Sequence, residues 1–275
     1  MASPARQRAR LGLSRCHTSP RYAARVSTDG AYLAVASYGE KGPTTRVSSR
    51  GQVRAFTRRS RSRLLQLCAS VDRIELSKSL LVTLTYPRSY TTESSTWKRH
   101  LDVFSKRLAR TFPTSSAIWK LEFQKRGAPH YHLIVLGVPF LAREWLSRAW
   151  YEVVGSGDER HKRAGTQVAR VLSYKKAIAY AAKYVAKVST NDDPQYVGRY
   201  WGVLSRRALP AHIYEWRLSK RGSVRLARAI RGLAKSRSRA SKNRRYTAKW
   251  VVCRGDRGAI LAAYAAIDGI INGFT

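Results

Sequence analysis

What this chain of 275 residues lacks above all is acid: 16 Asp plus Glu stand against 53 Lys plus Arg, a formal net charge of +37. No acid occurs between Arg217 and Arg254, and the first sixty residues hold only Asp29 and Glu40. A chain so charged repels itself unless a polyanion neutralises it, so nucleic acid is the expected partner. Cysteine is scarce too. Cys16, Cys68 and Cys253 are odd in number and far apart, which excludes a disulfide framework or a thiolate metal site and fits a reducing bacterial cytoplasm. No run of eighteen uncharged apolar residues exists, so no membrane partner is expected. A G-x-x-x-x-G-K-[ST] stretch is also missing, which excludes a built-in P-loop motor. What is present is arginine, more than twice as frequent as lysine, the cation suited to forked phosphate contacts and stacking on bases.

Along the chain the character changes twice. Residues 1–63 read as a basic N-terminal arm, partly disordered, with one strand-like stretch from Ala31 to Ser37. Residues 64–215 carry regular apolar periodicity and most of the acids, and form the expected folded core. Residues 216–275 read as a basic, helical, DNA-binding extension. Within the core, Leu80 to Tyr86 reads as a buried strand ended by Pro87. Trp97, Leu101, Phe104 and Leu108 recur at helical spacing on one face. Ile118 to Gln124 and Pro129 to Leu136 are strand-like runs joined by a short segment containing Gly127, a hairpin. A helix around Leu141 to Tyr151, a strand around Gln167 to Leu172 and a helix from about Ser173 to Val188 follow. Mixed strands and helices around a central hairpin predict an α+β domain, an antiparallel sheet covered by helices.

The hairpin carries His130-Tyr131-His132. In a strand the two imidazoles share one face and Tyr131 takes the other. Glu122 and Gln124 share a face of the partner strand, and a loop of odd length would make it the histidine face, with Glu122 opposite His130 or His132. Two nitrogens and one carboxylate, without sulfur, suit Mg²⁺ or Mn²⁺ acting as a Lewis acid on a phosphate, although zinc would bind them too. The bland alternative is two histidines satisfied by hydrogen bonds on a sheet face.

In the helix near Val188, Ile178, Ala181, Val185 and Val188 fall on one apolar face, and Tyr180, Lys183, Tyr184 and Lys187 on the opposite one. This is Y-x-x-K written twice. A free phenol is only roughly 0.1% ionised at neutral pH. A neighbouring ammonium favours the phenolate, which can then attack phosphorus and form a phosphotyrosine. The competing reading is a solvated Tyr/Lys face. Arg199, Tyr200, Trp201, Arg206 and Arg207 interleave aromatics and cations as single-strand binding requires, and Arg225 and Arg228 could share one side of a basic helix.

Thr83-Leu84-Thr85, Pro129-His130-Tyr131-His132-Leu133 and the doubled Y-x-x-K resemble the three motifs of HUH endonucleases, over about 110 residues (Leu80 to Lys187). The group resembled most is the two-tyrosine rolling-circle replication initiators of small single-stranded DNA phages. The resemblance implies a five-stranded antiparallel sheet, RRM- or ferredoxin-like, with the HUH strand central. It implies that His130, His132 and Glu122 hold the metal, with Gln124 as the alternative third ligand. Tyr180 and Tyr184 become alternating nucleophiles, and Lys183 and Lys187 orient or charge-stabilise phosphate. The activity implied is site- and strand-specific nicking and rejoining of single-stranded DNA at a replication origin. A covalent 5′-phosphotyrosine forms, a 3′-OH is freed for a host polymerase, and a host helicase separates the strands. The rivals are a transposase or plasmid relaxase of the same chemistry, and a non-catalytic basic nucleic-acid-binding protein.

Overall fold

A computed structural model describes residues 22–27, 32–37, 56–171, 173, 177, 180, 197–211, 213–217, 219, 221–225, 228 and 250–252. Their chain order is β1 (Tyr22–Ser27), β2 (Tyr32–Ser37), α1 (Arg58–Ser70), α2 (Arg73–Ser77), β3 (Leu80–Thr85), α3 (Ser94–Thr111), β4 (Ser116–Phe123) and β5 (Pro129–Leu136). There follow α4 (Arg143–Val154), α5 (Glu159–Ala164), β6 (Thr166–Arg170), β7 (Trp201–Leu204), a 3-10 turn (Arg206–Ala208), β8 (Ile213–Arg217) and β9 (Trp250–Val252). The main sheet has the order β6-β3-β5-β4-β7, antiparallel at every pairing. The fold is therefore α+β, consistent with an HUH or ferredoxin-like domain, and the strand bearing His130 and His132 is central.

Period-two alternation gives the sheet two apolar faces, each covered differently. On one face Val82, Leu84, Trp119, Leu121, Tyr131, Leu133 and Val135 meet Trp97, Leu101, Phe104 and Leu108 of α3 and Leu146 and Trp150 of α4. The four α3 residues that recur at helical spacing are the buried ones. Each such side chain contributes roughly 1.5–3 kcal/mol by leaving water. On the other face Ile118, Ile134 and Leu136 meet Leu64 and Cys68 of α1, Leu76 of α2 and Ala177. Burial pushes the Cys68 thiol up to about 12, so it behaves as a small hydrophobe. Ala177 and Tyr180 are helical, as expected of their segment.

Local chemistry explains the elements that the sequence reading left out. Thr57 Oγ1 accepts from Ser60 N and starts α1. Asp72 Oδ1 accepts from the backbone of Ile74 and Glu75 and starts α2. At the tip of the β4–β5 hairpin Gly127 has φ +80, a backbone conformation that a side chain would strain, and its N–H donates to Gln124 O.

A second sheet has the order β8-β1-β2-β9, again antiparallel. The segment read as an exposed arm thus contributes two paired strands, only one of which was expected. The boundary drawn after residue 215 falls inside β8. In the extension read as helical, residues 221–225 are helical, but Trp250–Val252 is a strand. Aromatic and β-branched residues favour that outcome.

Candidate active site

The hairpin loop comprises the five residues between Phe123 and Pro129, an odd number, so Glu122 and the histidines do share a face. Glu122 stands directly opposite His130, and Lys120 opposite His132. From the other side β3 places Thr83 opposite His132 and Thr85 opposite His130. Tyr131 points to the opposite face, fully buried, and donates to Trp97 O.

One chain of contacts runs through the cluster. The Lys120 ammonium donates to Glu122 Oε1, and Glu122 Oε2 lies 3.4 Å from His132 Nε2. His132 Nδ1 lies 3.3 Å from the Tyr180 hydroxyl and 3.4 Å from Thr83 Oγ1. The His130 ring centroid is 4.5 Å from that of His132, and its Nδ1 meets Thr85 Oγ1 at 3.1 Å. The cluster is largely shielded: Lys120 is 6% exposed and His132 9%. Burial alone would raise the Glu122 pKa, but hydrogen bonds from His132 and Lys120 and their positive charge win and bring it to about 2. The carboxylate is therefore ionised at any physiological pH.

The donor chemistry fits a divalent cation. A cation bonded at ~2.1 Å to both His132 Nε2 and Glu122 Oε2 would see their 3.4 Å separation at close to a tetrahedral angle. Both imidazoles have a threonine hydroxyl at Nδ1, which leaves Nε2 as the ligand atom of each. Among the described residues, no three His, Cys, Asp or Glu side chains stand close enough together to hold an ion as they are. Lys120 supplies the positive charge at Glu122 instead. Sequence reasoning missed Lys120, although K-x-E on one strand places both side chains on one face.

Tyr180 joins the site as expected. Lys183, Tyr184 and Lys187 lie outside the described residues. Gln124, the alternative third ligand, lies past the strand end, where its side-chain oxygen accepts from Arg126 Nε. Of the expected DNA-binding residues, Arg199 is exposed, and so are Arg206 and Arg207. Tyr200, however, is 4% exposed and belongs to the core beneath α3, so its ring offers no face to a base. Trp201 is half-buried against the second core cluster, and its indole N–H donates to Ser60 Oγ at 2.8 Å. Arg206 and Arg207 follow Leu204, which pairs with Ala117 at the end of β4 remote from Glu122. They therefore do not adjoin the histidine cluster. Arg225 is half-buried and Arg228 exposed.

No curated protein and no solved structure matches the chain. Residues 79–189 match the family model of the replication-associated protein ORF2, nearly the span from Leu80 to Lys187 that carries the three motifs. The matched stretch holds β3, the histidine hairpin and Tyr180, and the match supports a replication initiator role.

Proposed function

We propose that this protein initiates rolling-circle DNA replication as a metal-dependent, strand-specific nickase that becomes covalently joined to DNA through tyrosine. The observation that carries this reading is the Tyr180 hydroxyl 3.3 Å from His132 Nδ1, on an imidazole whose other nitrogen faces Glu122. A phenol, two imidazoles and a carboxylate thus meet within a stretch that resembles replication-associated proteins.

In this mechanism His130 Nε2, His132 Nε2 and Glu122 hold Mg²⁺ or Mn²⁺. The chemistry supplied there is Lewis-acid withdrawal of charge from a scissile phosphate. Ligation through Nε2 puts the His132 ring proton on Nδ1, where it faces the oxygens of Tyr180 and Thr83 and favours negative charge on the phenol. The Tyr180 oxygen, having given up its proton, attacks phosphorus. The bond from phosphorus to the 3′ oxygen breaks, and that oxygen takes up a proton as a 3′-OH. The 5′ phosphate stays on Tyr180, so the phosphodiester energy is kept for rejoining. Tyr184 serves the second cleavage, with Lys183 and Lys187 beside the phosphate. A host helicase and polymerase act on the strand so opened.

The test is a denaturing-gel assay on labelled single-stranded DNA from the protein's own replicon, with Mn²⁺ or Mg²⁺. A protein–DNA adduct is expected from wild type, with loss in His132→Ala and in the Tyr180→Phe, Tyr184→Phe double variant. Tight binding of that DNA without any adduct would leave a non-catalytic binding protein.

A further inference from the structure

The threonines of β3 have no assigned part in the chemistry above, yet each stands directly across from one histidine. Thr85 Oγ1 lies 3.1 Å from His130 Nδ1, and Thr83 Oγ1 3.4 Å from His132 Nδ1. Two cross-strand Thr–His pairs on a single face call for a common explanation.

The backbone of Thr85 is held more firmly than a strand end requires. Its N–H donates to Gly165 O at 2.8 Å. Its carbonyl accepts two hydrogen bonds, from Trp150 Nε1 at 2.8 Å and from His161 Nε2 at 2.9 Å. Donation from His161 Nε2 fixes that ring's tautomer, so its Nδ1 accepts from Ser156 Oγ at 2.8 Å. The residues just beyond are clamped by Arg126, whose guanidinium donates to the carbonyls of Tyr86, Pro87 and Arg88 at 2.6, 2.7 and 3.3 Å. Gly165 admits no side chain, since a Cβ would come within 2.4 Å of the His161 ring. The hydroxyl of Thr85 therefore projects from a platform fixed by α4, α5 and the hairpin tip.

We propose that Thr85, and with it Thr83, are positioning residues that hold the two imidazoles by Nδ1 and so present Nε2 of each ring toward Glu122. Neutral imidazole carries one proton, and an Nδ1–H directed at a threonine oxygen leaves the lone pair on Nε2. This assigns a task to Thr83-Leu84-Thr85: the two threonines share the histidine face, and Leu84 between them is buried on the other. The inference rests on the metal-dependent reading only in its consequence for metal affinity; the hold on the rings stands without it.

The test uses the full-length protein and three variants. Thr85→Val keeps shape and strand preference but removes the hydroxyl, Thr85→Ser restores it, and Thr83→Val repeats the removal at the second ring. The first readout is ¹⁵N NMR of the histidine rings in the metal-free protein at a pH where they are neutral. The Nδ1–H form of His130 is expected to be populated in wild type and Thr85→Ser and depleted in Thr85→Val, with His132 unchanged. The second is Mn²⁺ affinity by titration calorimetry, expected to weaken ~10- to 100-fold in Thr85→Val and to recover in Thr85→Ser. An unchanged His130 ring signature in a folded Thr85→Val protein overturns the proposal, and so does unchanged Mn²⁺ affinity in that variant when wild type binds. Absence of Mn²⁺ binding by wild type would instead remove the metal-dependent reading, and the ring signature would still decide the role of Thr85.

Discussion

Lys120 is the residue whose environment asks most of its neighbours. Its ammonium and the Glu122 carboxylate form an ion pair with both side chains about nine-tenths covered (8% and 11% exposed). Breaking a buried pair from one side leaves an uncompensated charge, worth about 3–5 kcal/mol. Lys120→Met should therefore lower the stability of the metal-free protein by about that amount. If Glu122 is a metal ligand, Mn²⁺ supplies the missing positive charge. The Mn²⁺-induced rise in melting temperature should then be larger in Lys120→Met than in wild type. Thermal melts with and without Mn²⁺ check this, and an equal rise in both proteins would separate Lys120 from the site.

At the scale of elements, α5 is fastened to the strand end that carries Thr85 through His161, which is buried and hydrogen-bonded at both nitrogens. Burial lowers its pKa, and nearby Arg126 pushes the same way, against the opposing pull of the Thr85 carbonyl and Asp158. A histidine kept neutral in the fold takes up its proton more readily when unfolded. The stability it gives is complete above the unfolded pKa of about 6.5 and is lost as pH falls below that value. His100, lowered by burial and by Arg99, acts in the same sense. Urea midpoints measured from pH 7.5 down to 5 should fall in wild type. They should fall less in His161→Gln, whose amide can still donate to Thr85 O; an identical slope would exclude His161 as a source. The elements differ in how plainly the sequence announces them. The stripe on α3 and the two-sided hairpin follow from period alone, because each is packed on one side. Tyr200 misleads because alternation turns it and Trp201 to opposite faces of a strand whose basic neighbours suggest a surface. α5 carries only six residues, and its role emerges only once His161 is seen on Thr85 O. Lys120 needed the register, since lysine two positions before a glutamate reads equally well as solvated.

At the scale of the whole molecule, a charge of +37 dominates any encounter with DNA. Each phosphate neutralised on a single strand adds about 0.7 to the slope of log affinity against log salt. The expected slope is steeper than about −3 in a fluorescence titration from low to physiological salt, and a near-flat slope would remove phosphate contacts as the main source of affinity. The same charge is spread over both sheets, so the salt slope belongs to the molecule and not to the histidine cluster. The Thr85→Val variant should therefore keep it.

The second sheet has a consequence in time. β1 pairs with β2 close by, but its other edge pairs with β8, roughly 190 residues later in synthesis. At ~5–20 residues per second a ribosome needs on the order of 10–40 s to deliver that partner. During that interval the early hairpin stands with a bare edge, while the histidine domain emerges after it and is free to fold. Completion of the second sheet is then the last event of biogenesis, and it records that translation has run past β9.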